Sequence, residues 1–224
     1  MTTAGKVLVP AVVAVSTALV IAGVAIGFLL NPVWVGFEQG RSDVTGLTGY
    51  TPGQVQAVTG SILSDLVFGP PKFDVTVDGE PVLSVRERSH MVDVRGAFAL
   101  AGLAIVAAAI LLAALGLAGR GGRRFWRAVR AGALLAIAVV AVAGSLSMLF
   151  FDQAFELMHR LFFASGTYTF DPRTDRLVQL FPDQFWFETA VVLAVAMLAL
   201  SAVVAAGAGR LAGPEPRLEV ETAP

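Results

Sequence analysis

Cysteine is absent from this chain of 224 residues. Its absence excludes disulfides, thiol nucleophiles, zinc–thiolate sites and iron–sulfur clusters. Histidine is nearly absent too: the chain has only His90 and His159. A histidine-rich zinc site would lack its third ligand. Charge of one sign does not dominate, and the formal net charge of −1 leaves no electrostatic footprint for nucleic acid. No glycine-rich phosphate loop follows a strand, no Gly-x-Ser-x-Gly elbow occurs, and there is no internal repeat.

What the chain has in excess is apolar sequence. The hydrophobic fraction is 56% and the mean hydropathy is +0.74, which makes a bilayer the expected solvent. Four apolar runs are long enough to span it: about Val7–Leu30, Val94–Ala118, Ala128–Phe151 and Phe187–Ala208. Each has roughly 22–25 residues, or about 33–38 Å of helix at ~1.5 Å per residue. Charges enter these runs only near their ends, as at Arg95 and Arg130. The first run exceeds the ~7–15 residues of a cleavable signal core, so it is expected to stay as a helix.

Basic residues set the expected orientation. The second and third runs are joined through Arg120, Arg123, Arg124, Arg127 and Arg130 with no acid among them, the mark of a cytoplasmic loop. Lys6 and Arg210 flank the ends of the first and fourth runs on that same side. Both termini are then cytoplasmic, and the connections 31–93 and 152–186 face outward. The expected fold is a single membrane domain over 1–224. It is an all-α, four-transmembrane-helix bundle with a small extracellular α+β insertion. Residues 212–224 read as a disordered cytoplasmic tail, being polar and proline-containing.

The outward segments carry local signals. Thr51-Pro52-Gly53-Gln54 opens a helix, with Thr at the cap and Pro at the first position. Val55, Val58, Ile62 and Leu66 continue it at helical spacing, and Gly69-Pro70-Pro71 ends it. Phe73–Val77 alternates and Asp78-Gly79 follows, which predicts a short hairpin. Thr167–Phe170 and Leu177–Leu180 flank a turn-rich stretch, which predicts a second hairpin. The third run is expected to continue as helix past Phe151. Phe151, Phe155, Met158 and Phe162 then share one face, and Asp152, Glu156 and His159 another. Phe181, Phe185, Trp186 and Phe187 form an interfacial aromatic belt.

The two histidines therefore lie at the same side of the bilayer. His90 precedes the second run and has Asp93 three residues on; His159 follows the third and has Glu156 three residues before. Three readings compete. Each histidine could be an interfacial residue bonded to its local acid. His90, His159, Asp93 and Glu156 could form a mixed metal site, or the two histidines could clamp a haem. Or the pair could perform acid–base catalysis on a lipid-linked ester, one taking a proton and the other steadying an oxyanion. A non-catalytic accessory or assembly protein is a further alternative.

Ser89-His90-Met91-Val92-Asp93-Val94 resembles the His-Met-x-Asp-Val signature of the lipoprotein intramolecular transacylase (Lit) family and its integral-membrane relatives. His159-Arg160-Leu161-Phe162-Phe163, Phe170-Asp171-Pro172, Thr174-Asp175 and Leu180-Phe181-Pro182 resemble the second conserved block of that family. The resemblance extends to the four spans and the order of segments. It implies an acyl shift within one diacylglyceryl lipoprotein, from the sn-2 position of glycerol to the N-terminal cysteine amine, with no cofactor. The family's two essential histidines match His90 and His159. Asp93, Asp152 and Glu156 are expected in support, and Phe163, Ser165, Tyr168 and Trp186 as walls of a substrate pocket. Where family members tend to carry Asn and Trp after the Phe-Phe pair, this chain has Ser165 and Tyr168.

Overall fold

A computed structural model describes residues 3–119 and 121–213. Helix α1 spans Thr3–Leu29 and α5 spans Val85–Ala118. The third apolar run forms α6 (Arg123–Val139), a π-helical turn (Val140–Gly144) and α7 (Ser145–Leu149). The fourth forms α10, Asp183–Ala212. These are four helices long and apolar enough to cross a membrane, and they make an all-α bundle. Ala212 is thus helical, while the tail from 214 onward lies outside the described residues.

Small residues set the bundle's packing. Val13 of α1 meets Ala128 and Val129 of α6 and Ala208 of α10. Further along, Ile21 meets Ala133 and Ala205. Numbers rise together in α1 and α6 and fall in α10, so α1 and α6 run parallel and α10 antiparallel. Gly132 faces the backbone of Ala14 so closely that a Cβ there would collide with it. In lipid such close backbone approach replaces the hydrophobic drive that water would supply.

This order brings both long connections to one end of the bundle, where they build a cap. Asn31 turns the chain out of α1. Its Oδ1 accepts from Val33 N at 2.9 Å and Trp34 N at 3.1 Å, starting α2 (Pro32–Arg41). A short α3 (Val44–Thr48) follows. Helix α4 (Pro52–Val67) starts where its sequence signal lies: Thr51 and Gln54 form a reciprocal capping box, worth about 1 kcal/mol. Val55, Val58, Ile62 and Leu66 are all buried, with Val44, Phe73, Leu83 and Met91, in the core of the cap. Strands β1 (Thr76–Val77) and β2 (Glu80–Pro81) pair antiparallel around Asp78-Gly79. Both turn residues have positive φ, 52° and 86°, the geometry that matches the twist of a two-residue hairpin.

Three expectations change. Helix α5 begins nine residues before its apolar run, because Ser84 and Glu87 form a second capping box. The Ser89–Val94 segment is therefore helical. Span three does not continue straight: Phe150 leaves helical geometry (φ −131°, ψ 51°), and α8 (Phe151–Phe162) sets off as a separate, amphipathic element. The second hairpin does not form. Arg176–Leu180 is a helical turn, α9, whose Leu177 and Leu180 enter the cap core. Leu-x-x-Leu fits a helix turn as well as an edge strand, and burial of both leucines on one side decides for the turn.

Candidate functional site: a histidine pair in an aromatic box

His90 and His159 meet. Their ring centroids are 6.0 Å apart and the planes 24° from parallel. Helix α5 presents His90 a turn beyond its capping box; α8 presents His159 near its C-terminal end. Around them the rings close. Phe163 lies 4.9 Å from His90 and 5.6 Å from His159. Phe170 stands 5.5 Å from His90, Tyr168 5.2 Å from His159, and Phe155 4.3 Å from His159.

The two imidazoles have different environments. His159 is half-buried and its Nδ1 is 2.8 Å from the carbonyl oxygen of Phe155, one helical turn back. A carbonyl only accepts, so Nδ1 carries the proton and Nε2 keeps its lone pair. His90 is 6% exposed, and its Nδ1 is buried with no hydrogen-bond partner. An unpaired buried polar atom is uncommon and leaves Nδ1 available for a further hydrogen bond.

The acids do not act as expected. Asp93 is exposed and does not engage His90 Nδ1. Asp152 is exposed in the first turn of α8. Glu156 accepts a hydrogen bond from the Tyr168 hydroxyl at 3.1 Å instead of holding His159. The reason is local: in a helix the carbonyl four residues back is already in reach of an imidazole Nδ1, so the carboxylate is not needed. Partial burial and the Glu156 carboxylate raise the Tyr168 phenol above its ordinary pKa, so it stays a neutral donor. Among the described residues no three His, Asp or Glu side chains gather as a metal-ligand group.

Of the expected pocket walls, Phe163 and Tyr168 lie against the histidines. Trp186 sits one layer out, 6.0 Å from Phe155 and packed on Phe181 and Phe185. Ser165 is exposed in the loop between α8 and α9. Sequence reasoning missed Phe155, whose carbonyl and ring both serve His159, and Phe170. It also missed the clamp that holds the loop. Arg86 pairs with Asp175 at 2.8 Å and stacks on Phe170 at 4.9 Å. Glu87, in the same turn, accepts from Leu177 N at 2.7 Å. The Ser84-x-x-Glu87 pattern was a legible signal for that turn.

A four-span bundle with a stacked histidine pair in its cap defines an integral membrane protein with a pair of acid–base groups at one end of the bundle. The chain belongs to the lipoprotein intramolecular transacylase Lit family, whose family profile matches residues 11–186. No curated protein sequence matches it. In structure it is similar to the membrane-integral lipoprotein intramolecular transacylase Lit from Bacillus cereus. The TM-score is 0.76 at 22% identity, over 91% of this chain and 94% of that one. Two forms of that B. cereus protein carrying a histidine mutation, to arginine or to alanine, are also similar. Their TM-scores are 0.70 and 0.71 at 20% identity, over 91% of this chain and 90% and 92% of theirs. At these identities the likeness is one of fold.

Proposed function

We propose that this chain moves the sn-2 acyl chain of a diacylglyceryl lipoprotein to the amine of its N-terminal cysteine, giving an N-acylated lyso-form. The observation that carries the reading is the histidine pair itself. One imidazole has a free Nε2, the other an unengaged Nδ1, and both lie in an aromatic box at the end of a membrane bundle. Family membership supports the same substrate class. The box faces outward in this reading, as the arginine-rich α5–α6 connection favours.

The steps balance without a co-reactant. An α-amine with a pKa near ~7.7–8.0 is partly neutral at physiological pH. Its nitrogen attacks the ester carbonyl, and His159 Nε2 takes the proton that the nitrogen gives up. His90 donates a ring N–H to the developing oxyanion. Collapse restores the carbonyl and breaks the bond to the glycerol oxygen, which recovers the proton from His159. An ester becomes an amide, which is downhill, so neither ATP nor a cofactor enters. Amine and ester belong to one molecule, so holding them together exploits high effective molarity. Phe163, Tyr168 and Phe170 exclude water that would otherwise hydrolyse the ester.

The test is a reconstituted assay in proteoliposomes with a synthetic diacylglyceryl lipopeptide, followed by mass spectrometry. Wild type should convert it to the lyso N-acyl product. His90→Ala and His159→Ala should each lower the rate about 10²–10⁴-fold, the usual range for loss of an acid–base group. Unchanged transfer in both variants would sink the mechanism. An unconverted substrate together with a co-purifying partner would favour an accessory role.

A further inference from the structure

We infer that Glu87 is a positioning residue of this site, fixing the loop that closes on the histidines; the inference rests on the acyl-transfer reading above. Glu87 is 2% exposed and carries a carboxylate into the cap core. Both its oxygens are committed to backbone N–H groups of different elements. Oε2 accepts from Ser84 N at 2.7 Å, completing the capping box of α5. Oε1 accepts from Leu177 N at 2.7 Å, across the molecule.

The second bond is the unusual one. Asp175 is the N-cap residue of α9 but makes no capping bond to it. Its carboxylate is occupied elsewhere, by Arg86 Nη2 and by Asp171 N, both at 2.8 Å. Glu87 therefore supplies from α5 the acceptor that α9 lacks at its own start. One buried carboxylate accepts one N–H at each of two helix N-termini, where helix dipoles favour an anion. Charge-assisted bonds of this kind are short and directional, so they set position as well as stability.

That position governs the site. Glu87 and His90 are three residues apart on α5 and share a buried face. Helix α9 ends the loop that delivers Phe170 to His90 and Tyr168 to His159. The leucines of α9 would still enter the core without Glu87, but apolar contact is non-directional. The Leu177 N–Glu87 bond, beside the Arg86–Asp175 pair, holds the register of this loop against the histidine-bearing turn, and the Ser84 bond fixes the carboxylate that makes it. Glu87 spends both oxygens on backbone N–H groups rather than on an imidazole, so its effect is indirect.

The test uses the full chain in proteoliposomes with the diacylglyceryl lipopeptide. Glu87→Ala should lower kcat roughly 100-fold with KM little changed, the scale expected of a small misplacement of reacting groups. Glu87→Gln keeps the side-chain volume and one acceptor oxygen, so it should fall between and secures the test where the alanine variant does not fold. Thr17→Val removes a buried hydrogen bond inside α1, distant from the site; it should keep kcat and so controls for general destabilisation. A second readout is independent of turnover. With only two histidines, ¹⁵N-histidine labelling yields two imidazoles to assign. Glu87→Gln should shift the His90 resonances. Wild-type kcat in both Glu87 variants, or a loss of kcat with unmoved His90 resonances, would overturn the inference. An inactive wild type would sink the acyl-transfer reading instead, and the His90 resonances alone would then decide on Glu87.

Discussion

At the scale of single residues, the site is an asymmetric pair. The Phe155 carbonyl assigns the proton of His159 to Nδ1, which leaves Nε2 open for the base role proposed above. This predicts a spectrum: ¹⁵N-histidine NMR of the detergent-solubilised protein should show His159 as the Nδ1–H tautomer, and an Nε2–H tautomer would refute the assignment. Tyr168 offers a graded test. Tyr168→Phe keeps the ring 5.2 Å from His159 and deletes only the hydroxyl bond to Glu156. That bond is worth about 1 kcal/mol, so kcat/KM should fall by no more than about tenfold. Tyr168→Ala opens the box and should cost far more. The residues named from sequence divide accordingly. His90, His159, Phe163 and Tyr168 meet, because each falls on a helix face or loop that the cap folds inward. Asp93 and Asp152 stay exposed, because three-residue spacing to a histidine or a shared face places a side chain nearby without providing it a bond.

At the scale of elements, helix starts are the joints on which the site turns. The Ser84 capping box begins α5 early enough to make His90 helical. Ser84→Ala should cost about 1 kcal/mol, read as a lower apparent Tm in detergent. The junction of α2 with α10 supplies a pH response. Glu38 of α2 is 1% exposed, and its Oε1 has no hydrogen-bond partner. Burial, and then the neighbouring Glu188 carboxylate, raise its pKa from 4.5 to about 7. The folded protein therefore holds a proton there that the unfolded chain releases between pH 4.5 and about 7. Stability contributed by this group is full below pH 4.5 and is lost as pH rises through about 7. Apparent Tm should accordingly fall across that window in wild type. Glu38→Gln, which mimics the protonated form, should flatten the profile; an unchanged slope would exclude Glu38 as the source. The caps of α4 and the Asp78-Gly79 turn were legible because their signals are local. The α9 turn was not, because its first acceptor comes from α5, and no spacing within 167–180 records that.

At the scale of the whole molecule, the lack of cysteine makes topology directly measurable. A single Cys at Ser165 should react with a membrane-impermeant maleimide on intact cells, and a single Cys at Gly122 only after the membrane is opened; the reverse pattern would invert the proposed orientation. The sequence by itself determined the four spans and the one bundle end at which both histidines lie. The physical reason is that a bilayer gives backbone polar groups no partner but their own helix, so a long apolar run has one solution. Only the tertiary structure decided that His90 and His159 stack, that a carbonyl rather than a carboxylate orients His159, and that Glu87 ties α9 to the turn beside His90. The first and last of these contacts join segments far apart in the chain. They depend on helix order, the break at Phe150 and the folding of the cap, none of which leaves a periodic trace in the residues.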